Sequence, residues 1–178
     1  MRDTLLWLAV PVLAASALPA HAVQYLTVEQ AQHTLFPDAT AFRPVRLILT
    51  PPQRAAIEHA AHVRVRVPEL TAWRVETGSQ PIGWFLLDEV YGKHEFITYA
   101  LALDATGAVR GIEILDYRET HGGQVRNPAW RAQFTGKRAG APLELDQDIQ
   151  NISGATLSCK HIAEGVRRLL ATYEVALK

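Results

Sequence analysis

Apolar residues recur three and four apart in some stretches of this chain and at every second position in others, and the change of period marks out its elements. Over residues 27–36, Val28, Ala31 and Leu35 fall on one face, with Thr27 as N-cap and Pro37 as stop, which predicts a short amphipathic helix. Pro51 and Pro52 suit a first helical turn, and Ala55, Ala56 and Ile57 favour its continuation to about His59. The period then becomes two. Val63, Val65 and Val67 alternate with Arg64 and Arg66, predicting a half-buried strand ended by Pro68.

Four apolar stretches follow, at 72–76, 84–90, 95–103 and 108–116, separated by Gly78, by Tyr91-Gly92-Lys93 and by Asp104-Ala105-Thr106-Gly107. Turn chemistry between short strands reads as an antiparallel meander. In the third stretch Ile97, Tyr99, Leu101 and Leu103 occupy one face and Phe96, Thr98, Ala100 and Ala102 the other, so both faces need cover. From Leu157 onward Ile162, Val166, Leu169, Leu170 and Tyr173 make a helical stripe fit to cover one of them. The fold class expected is α+β, an antiparallel β-meander covered by helices.

Composition changes this picture little, but it removes function classes. The 178 residues carry 18 basic and 18 acidic side chains, so no basic field is available for nucleic acid. A single cysteine, Cys159, excludes an internal disulfide and an all-cysteine metal cluster, and C-x-x-C-H is absent. Residues 5–18 form an apolar run after Arg2 and end in Ala20-His21-Ala22, the pattern of a signal peptide over 1–22 cleaved before Val23. An uncleaved membrane anchor is the other reading. Either predicts an exported protein, periplasmic in a Gram-negative cell, with residues 23–178 as one domain.

Two loops carry candidate chemistry: Glu119-Thr120-His121-Gly122-Gly123, and Ser153-Gly154-Ala155-Thr156-Leu157-Ser158 at the start of the C-terminal helix. Glycine with small and hydroxyl residues at a helix start offers free N–H groups and the positive end of the helix dipole to a phosphate. The same residues also read as a plain cap, with Ser153 or Thr156 accepting from the first turn. Spacing alone leaves both open.

The run Ile152-Ser153-Gly154-Ala155-Thr156-Leu157-Ser158 resembles the flavinylation motif of the FMN-binding domain family, known from subunits of ion-pumping NADH:quinone and ferredoxin:NAD oxidoreductases. Gly111 to Leu115, then Tyr117-Arg118-Glu119-Thr120, Trp130, Gln133-Phe134 and Gly136-Lys137 are similar to further family segments in the same order, over about residues 83–171. The resemblance implies FMN esterified through its phosphate to Thr156 by a flavin transferase that uses FAD. Ser153, Gly154, Ala155, Leu157 and Ser158 would surround the attachment, and Glu119, Thr120, His121 and Gly122 would face the flavin. It further implies electron relay between a membrane redox partner and another acceptor. Two rival readings are a flavin-dependent reductase with its own small substrate, and a non-redox binding or sensing module. This chain has Gln150 where the family often has an acidic residue, and His121 where it has proline.

The remaining candidates have plainer readings. Trp130 and Phe134, four apart, share a helical face and suit a core. Cys159 suits a small buried residue. Glu119 has Arg118 and Arg126 as ion-pair partners in prospect, and Lys137 either approaches the phosphate or is solvated. His59 and His62 straddle a predicted helix-to-strand boundary without a third ligand nearby, so no metal is expected. Neither G-x-S-x-G, S-x-x-K, G-x-G-x-x-G nor a P-loop is present.

Overall fold

The computed structural model describes residues 25–178; the leader expected at 1–22 lies outside the described residues. Helix α1 (Val28–Leu35) starts with a reciprocal capping box between Thr27 and Gln30. Strand β1 (Ala41–Ile48) leads to helix α2 (Pro51–Ala61), capped likewise by Thr50 and Gln53. The meander follows as β2 (Glu69–Thr77), β3 (Gln80–Tyr91), β4 (Phe96–Asp104) and β5 (Val109–Tyr117). A short helix α3 (Pro128–Arg131) and the long helix α4 (Thr156–Ala176) complete the chain. The five strands form one antiparallel sheet in the order β1-β2-β3-β4-β5, so the fold is α+β as expected.

The alternation in β4 decides the layering. Ile97, Tyr99, Leu101 and Leu103 join Ile162, Val166, Leu169 and Leu170 of α4 in the main core. Ala100 and Ala102 point the other way, where their small side chains leave room for Phe85, Phe36 and Leu35 beneath α1. Helix α2 buries Ile57 and Ala61 against Ala171 in α4. Asp88 of β3 accepts from the Tyr99 phenol at 2.5 Å and from Arg168 at 2.6 Å. Burial pushes the Tyr99 phenol well up, and the Asp88 charge adds to this.

One expectation fails and one strand went unread. Residues 63–67 are not a strand. The N–H of Val65 donates to Glu58 at 2.8 Å and its carbonyl accepts from Arg54 at 3.2 Å, so side chains of α2 take the groups that a neighbouring strand would have paired. Val65 is buried among Leu49, Ile57 and Ala61, whereas Val67 is 66% exposed. The strand lies earlier, at β1, which carries no strict alternation and contains Pro44. Proline is tolerated there because β1 is an edge strand paired only with β2.

Candidate functional site

Strand β5 delivers the chain to one end of the sheet and α4 starts at that same end. Tyr117, the last residue of β5, donates from its phenol to the His121 carbonyl at 2.5 Å and lies 3.2 Å from the Ser158 hydroxyl. One side chain therefore ties the loop after β5 to the first turn of α4. Burial pushes the Tyr117 phenol up despite the Ser158 hydroxyl beside it. Gly122 adopts φ +90°, and a Cβ placed on it would sit 2.5 Å from the Ala155 Cβ and 2.4 Å from the Tyr117 oxygen. The absence of that carbon is what lets the two loops touch.

The loops enclose an open cleft of about 790 Å³, bordered by Thr120, His121, Gly122, Gly123, Ser153 and Gly154 from the predicted segments. Gln124, Arg126, Asn127 and Pro128 complete it, and none of these was singled out from the sequence as a site residue. The available signal was Asn127-Pro128: Asn127 caps α3 by accepting from the Ala129 N–H at 2.9 Å, and Pro128 takes its first turn. His121 and Thr120 share a hydrogen bond of 2.9 Å at the exposed rim.

The start of α4 carries no side-chain cap. Its N-cap is Ala155, with no side-chain hydrogen bond, so neither Ser153 nor Thr156 caps the helix. No side chain of the cap residue takes up the first-turn N–H groups, and Gly154 just before it has φ +81° with no atom within 4 Å of its absent Cβ. Thr156 is the first helical residue and is exposed, as is Leu157, while Ala155 and Ser158 are buried. Of the predicted site residues, Ser158 therefore works from beneath, through Tyr117, and Ala155 works as the packing partner of Gly122.

Glu119 turns elsewhere. Its carboxylate accepts the backbone N–H groups of Lys93, His94 (2.6 Å) and Glu95 (3.1 Å), organising the β3–β4 turn. Partial burial works to raise its pKa, but these donors outweigh it and hold the carboxyl below its ordinary range. The ion pairs expected for it are not made: Arg118 binds Asp116, and the Arg126 guanidinium stacks on the Tyr25 ring, 3.6 Å from its centroid.

The stretch from Trp130 to Lys137 anchors the approach to α4. Trp130 donates from Nε1 to the Gln150 carbonyl at 2.7 Å, and the Gln150 N–H donates to the Gln133 side chain at 2.7 Å. Both backbone groups of Gln150 are thus occupied and its side chain is exposed. Trp130 and Phe134 are buried with ring centroids 5.2 Å apart, as the core reading had it. Lys137 is neither at the cleft nor free, since it binds Asp148 at 2.7 Å. Cys159 is buried, which pushes its thiol up and away from reactivity. Among the described residues no cluster of histidine, cysteine or carboxylate side chains could hold a metal.

A helix start without a side-chain cap thus lies beside a glycine-lined cleft, and both fall within residues 92–171, which match the FMN-binding domain family. Among its relatives is a subunit of the Na(+)-translocating ferredoxin:NAD(+) oxidoreductase complex of Acetobacterium woodii, 33% identical over 81 residues, which are 40% of this chain and 39% of the relative. Another is a subunit of the Na(+)-translocating NADH-quinone reductase of Vibrio vulnificus, 36% identical over 75 residues, 33% of this chain and 29% of the relative. The match thus spans well under half of either relative. In fold, the chain is similar to a subunit of the Na(+)-translocating NADH-quinone reductase from Parabacteroides distasonis (TM-score 0.50, 14% identity, 84% of each chain) and to Shewanella oneidensis NqrC (TM-score 0.52, 12% identity, 82% of this chain and 88% of that one).

Proposed function

We propose that this protein is an exported flavoprotein that carries FMN on Thr156 and relays electrons between a membrane redox partner and a further acceptor. The observation that carries the reading is an exposed threonine at an uncapped helix start, next to the cleft that Gly122 and Ala155 close between them. The donor set fits an FMN: a dianionic phosphate wants N–H groups and hydroxyls, and the cleft border supplies Ser153, Thr120 and glycine backbone with no carboxylate among the described residues. Its volume lies in the range of cofactor pockets.

Attachment joins the Thr156 Oγ to the FMN-side phosphorus of FAD in a flavin transferase; the P–O–P bond breaks, AMP leaves, and the hydroxyl proton is released. The bound flavin would supply one- and two-electron transfer. The chain orients it through Tyr117, which holds both loops, and through the fixed backbone of Gln150. Export rests on the apolar run and Ala20-His21-Ala22. The relatives are named as subunits of sodium-translocating redox enzymes, which supports a redox partner in the membrane.

Intact mass after co-expression with a flavin transferase tests the reading. The wild type should gain one FMN adduct and Thr156→Ala none, with unfolding unchanged within about 0.5 kcal/mol because no cap is lost. An adduct that persists in the alanine variant, mapping to Ser153 or Ser158, refutes the assignment.

A further inference from the structure

Among the described residues bordering the cleft, Arg126 is the one permanently charged side chain, and His121 is the only other titratable group there. No carboxylate on that border takes the Arg126 charge. Its guanidinium lies 3.6 Å from the centroid of the Tyr25 ring, and the carbonyl of Arg126 accepts from Arg131 Nε at 3.1 Å. A cation held on an aromatic face keeps its charge available to a second partner while losing side-chain freedom. Tyr25 is fixed in turn: its N–H donates to the Leu115 carbonyl at 2.9 Å, and its ring packs on the main core. It lies far outside residues 92–171 in the chain, so the segment before α1 completes a site whose remaining parts come from the FMN-binding domain.

We propose that Arg126 is the cation that stabilises the reduced flavin, and that Tyr25 is the positioning residue that holds it there. This rests on the flavin reading above. Two electrons and one proton convert the oxidised ring to its singly charged anion; the electrode supplies the electrons and solvent the proton to N5. The added negative charge on the ring is what a neighbouring guanidinium favours. A unit charge within a few ångström at a partly exposed site shifts such an equilibrium by about tenfold, or about 30 mV for a two-electron couple.

The test is spectroelectrochemical titration of the full chain, each preparation first checked by mass for FMN. Arg126→Gln should lower the midpoint potential by about 30 mV, a tenfold loss. Arg126→Lys should recover most of it. Tyr25→Leu, which keeps an apolar contact with the core, should shift the potential in the same direction by a smaller amount. The double variant Tyr25→Leu/Arg126→Gln should match Arg126→Gln alone, because Tyr25 acts through the arginine. Flavin-loaded variants with the wild-type potential, or shifts that simply add in the double variant, overturn the inference while leaving the attachment reading intact. Reduced loading at an unmoved potential does so too, and assigns Arg126 to the phosphate. A wild type that takes no FMN overturns the attachment reading and this inference with it.

Discussion

Gly122→Ala should separate the two loops that make the site. A methyl group at that position meets the Ala155 Cβ at 2.5 Å and the Tyr117 oxygen at 2.4 Å, and the backbone stands at φ +90°. The left-handed conformation costs a residue with a side chain about 1–2 kcal/mol, and forcing a methyl into a filled contact adds about 1–3 kcal/mol. Gly154→Ala supplies the control, since φ there is +81° with nothing within 4 Å of the new Cβ. It should pay the conformational part alone. The difference between the two variants, about 1–3 kcal/mol, then measures the contact between the loops. Chemical denaturation followed by tryptophan fluorescence gives both values, and FMN incorporation should fall in Gly122→Ala more than in Gly154→Ala. Equal destabilisation of the two, with equal incorporation, would show that the loops do not depend on their approach at Gly122.

Two further outcomes follow from charges held by the fold. Arg168 and Asp88 are 16% and 14% exposed at the side chain, so Arg168→Met should cost about 3 kcal/mol by stranding the carboxylate, and adding Asp88→Asn should recover part of that in urea unfolding; a double variant as unstable as the sum of the singles refutes the pairing. Because the Glu119 pKa is depressed in the folded protein, the stabilisation from its anion is present above the unfolded value of about 4.3 and is lost as pH falls through the folded value. Glu119→Gln should therefore cost about 1 kcal/mol at pH 7 and progressively less below about pH 4; a cost independent of pH refutes the backbone-capping role.

The meander and its covering helix were legible in the sequence because burial on one face imposes a period, and the periods of two and of three to four differ enough to be read directly. Thr27 and α4 illustrate this: capping and striping are local, so nearby residues contain the whole signal. The 63–67 segment and β1 show where local signal fails. Alternating valines predict that every second side chain is buried, but only Val65 of the three is, and Glu58 and Arg54 decide that its backbone pairs with a helix instead of a strand. Strand β1, with Pro44, exists through its partner β2.

The site divides in the same way. The residue types of both loops, and Thr156 at a helix start, were visible along the chain because hydroxyls and glycines at a turn have local consequences. Their meeting was not, since it depends on the Gly122–Ala155 contact and on Tyr117 reaching Ser158 across 41 residues. Glu119 was misplaced for the same reason: its partners are backbone N–H groups of the β3–β4 turn, and no pattern of side chains announces a main-chain donor. Arg126 and Tyr25, 101 positions apart in the chain, meet only because β5 carries the segment before α1 along its edge. Sequence determined which groups were present and which elements carried them; tertiary structure decided which of those groups share a cleft, because that depends on long-range register and packing.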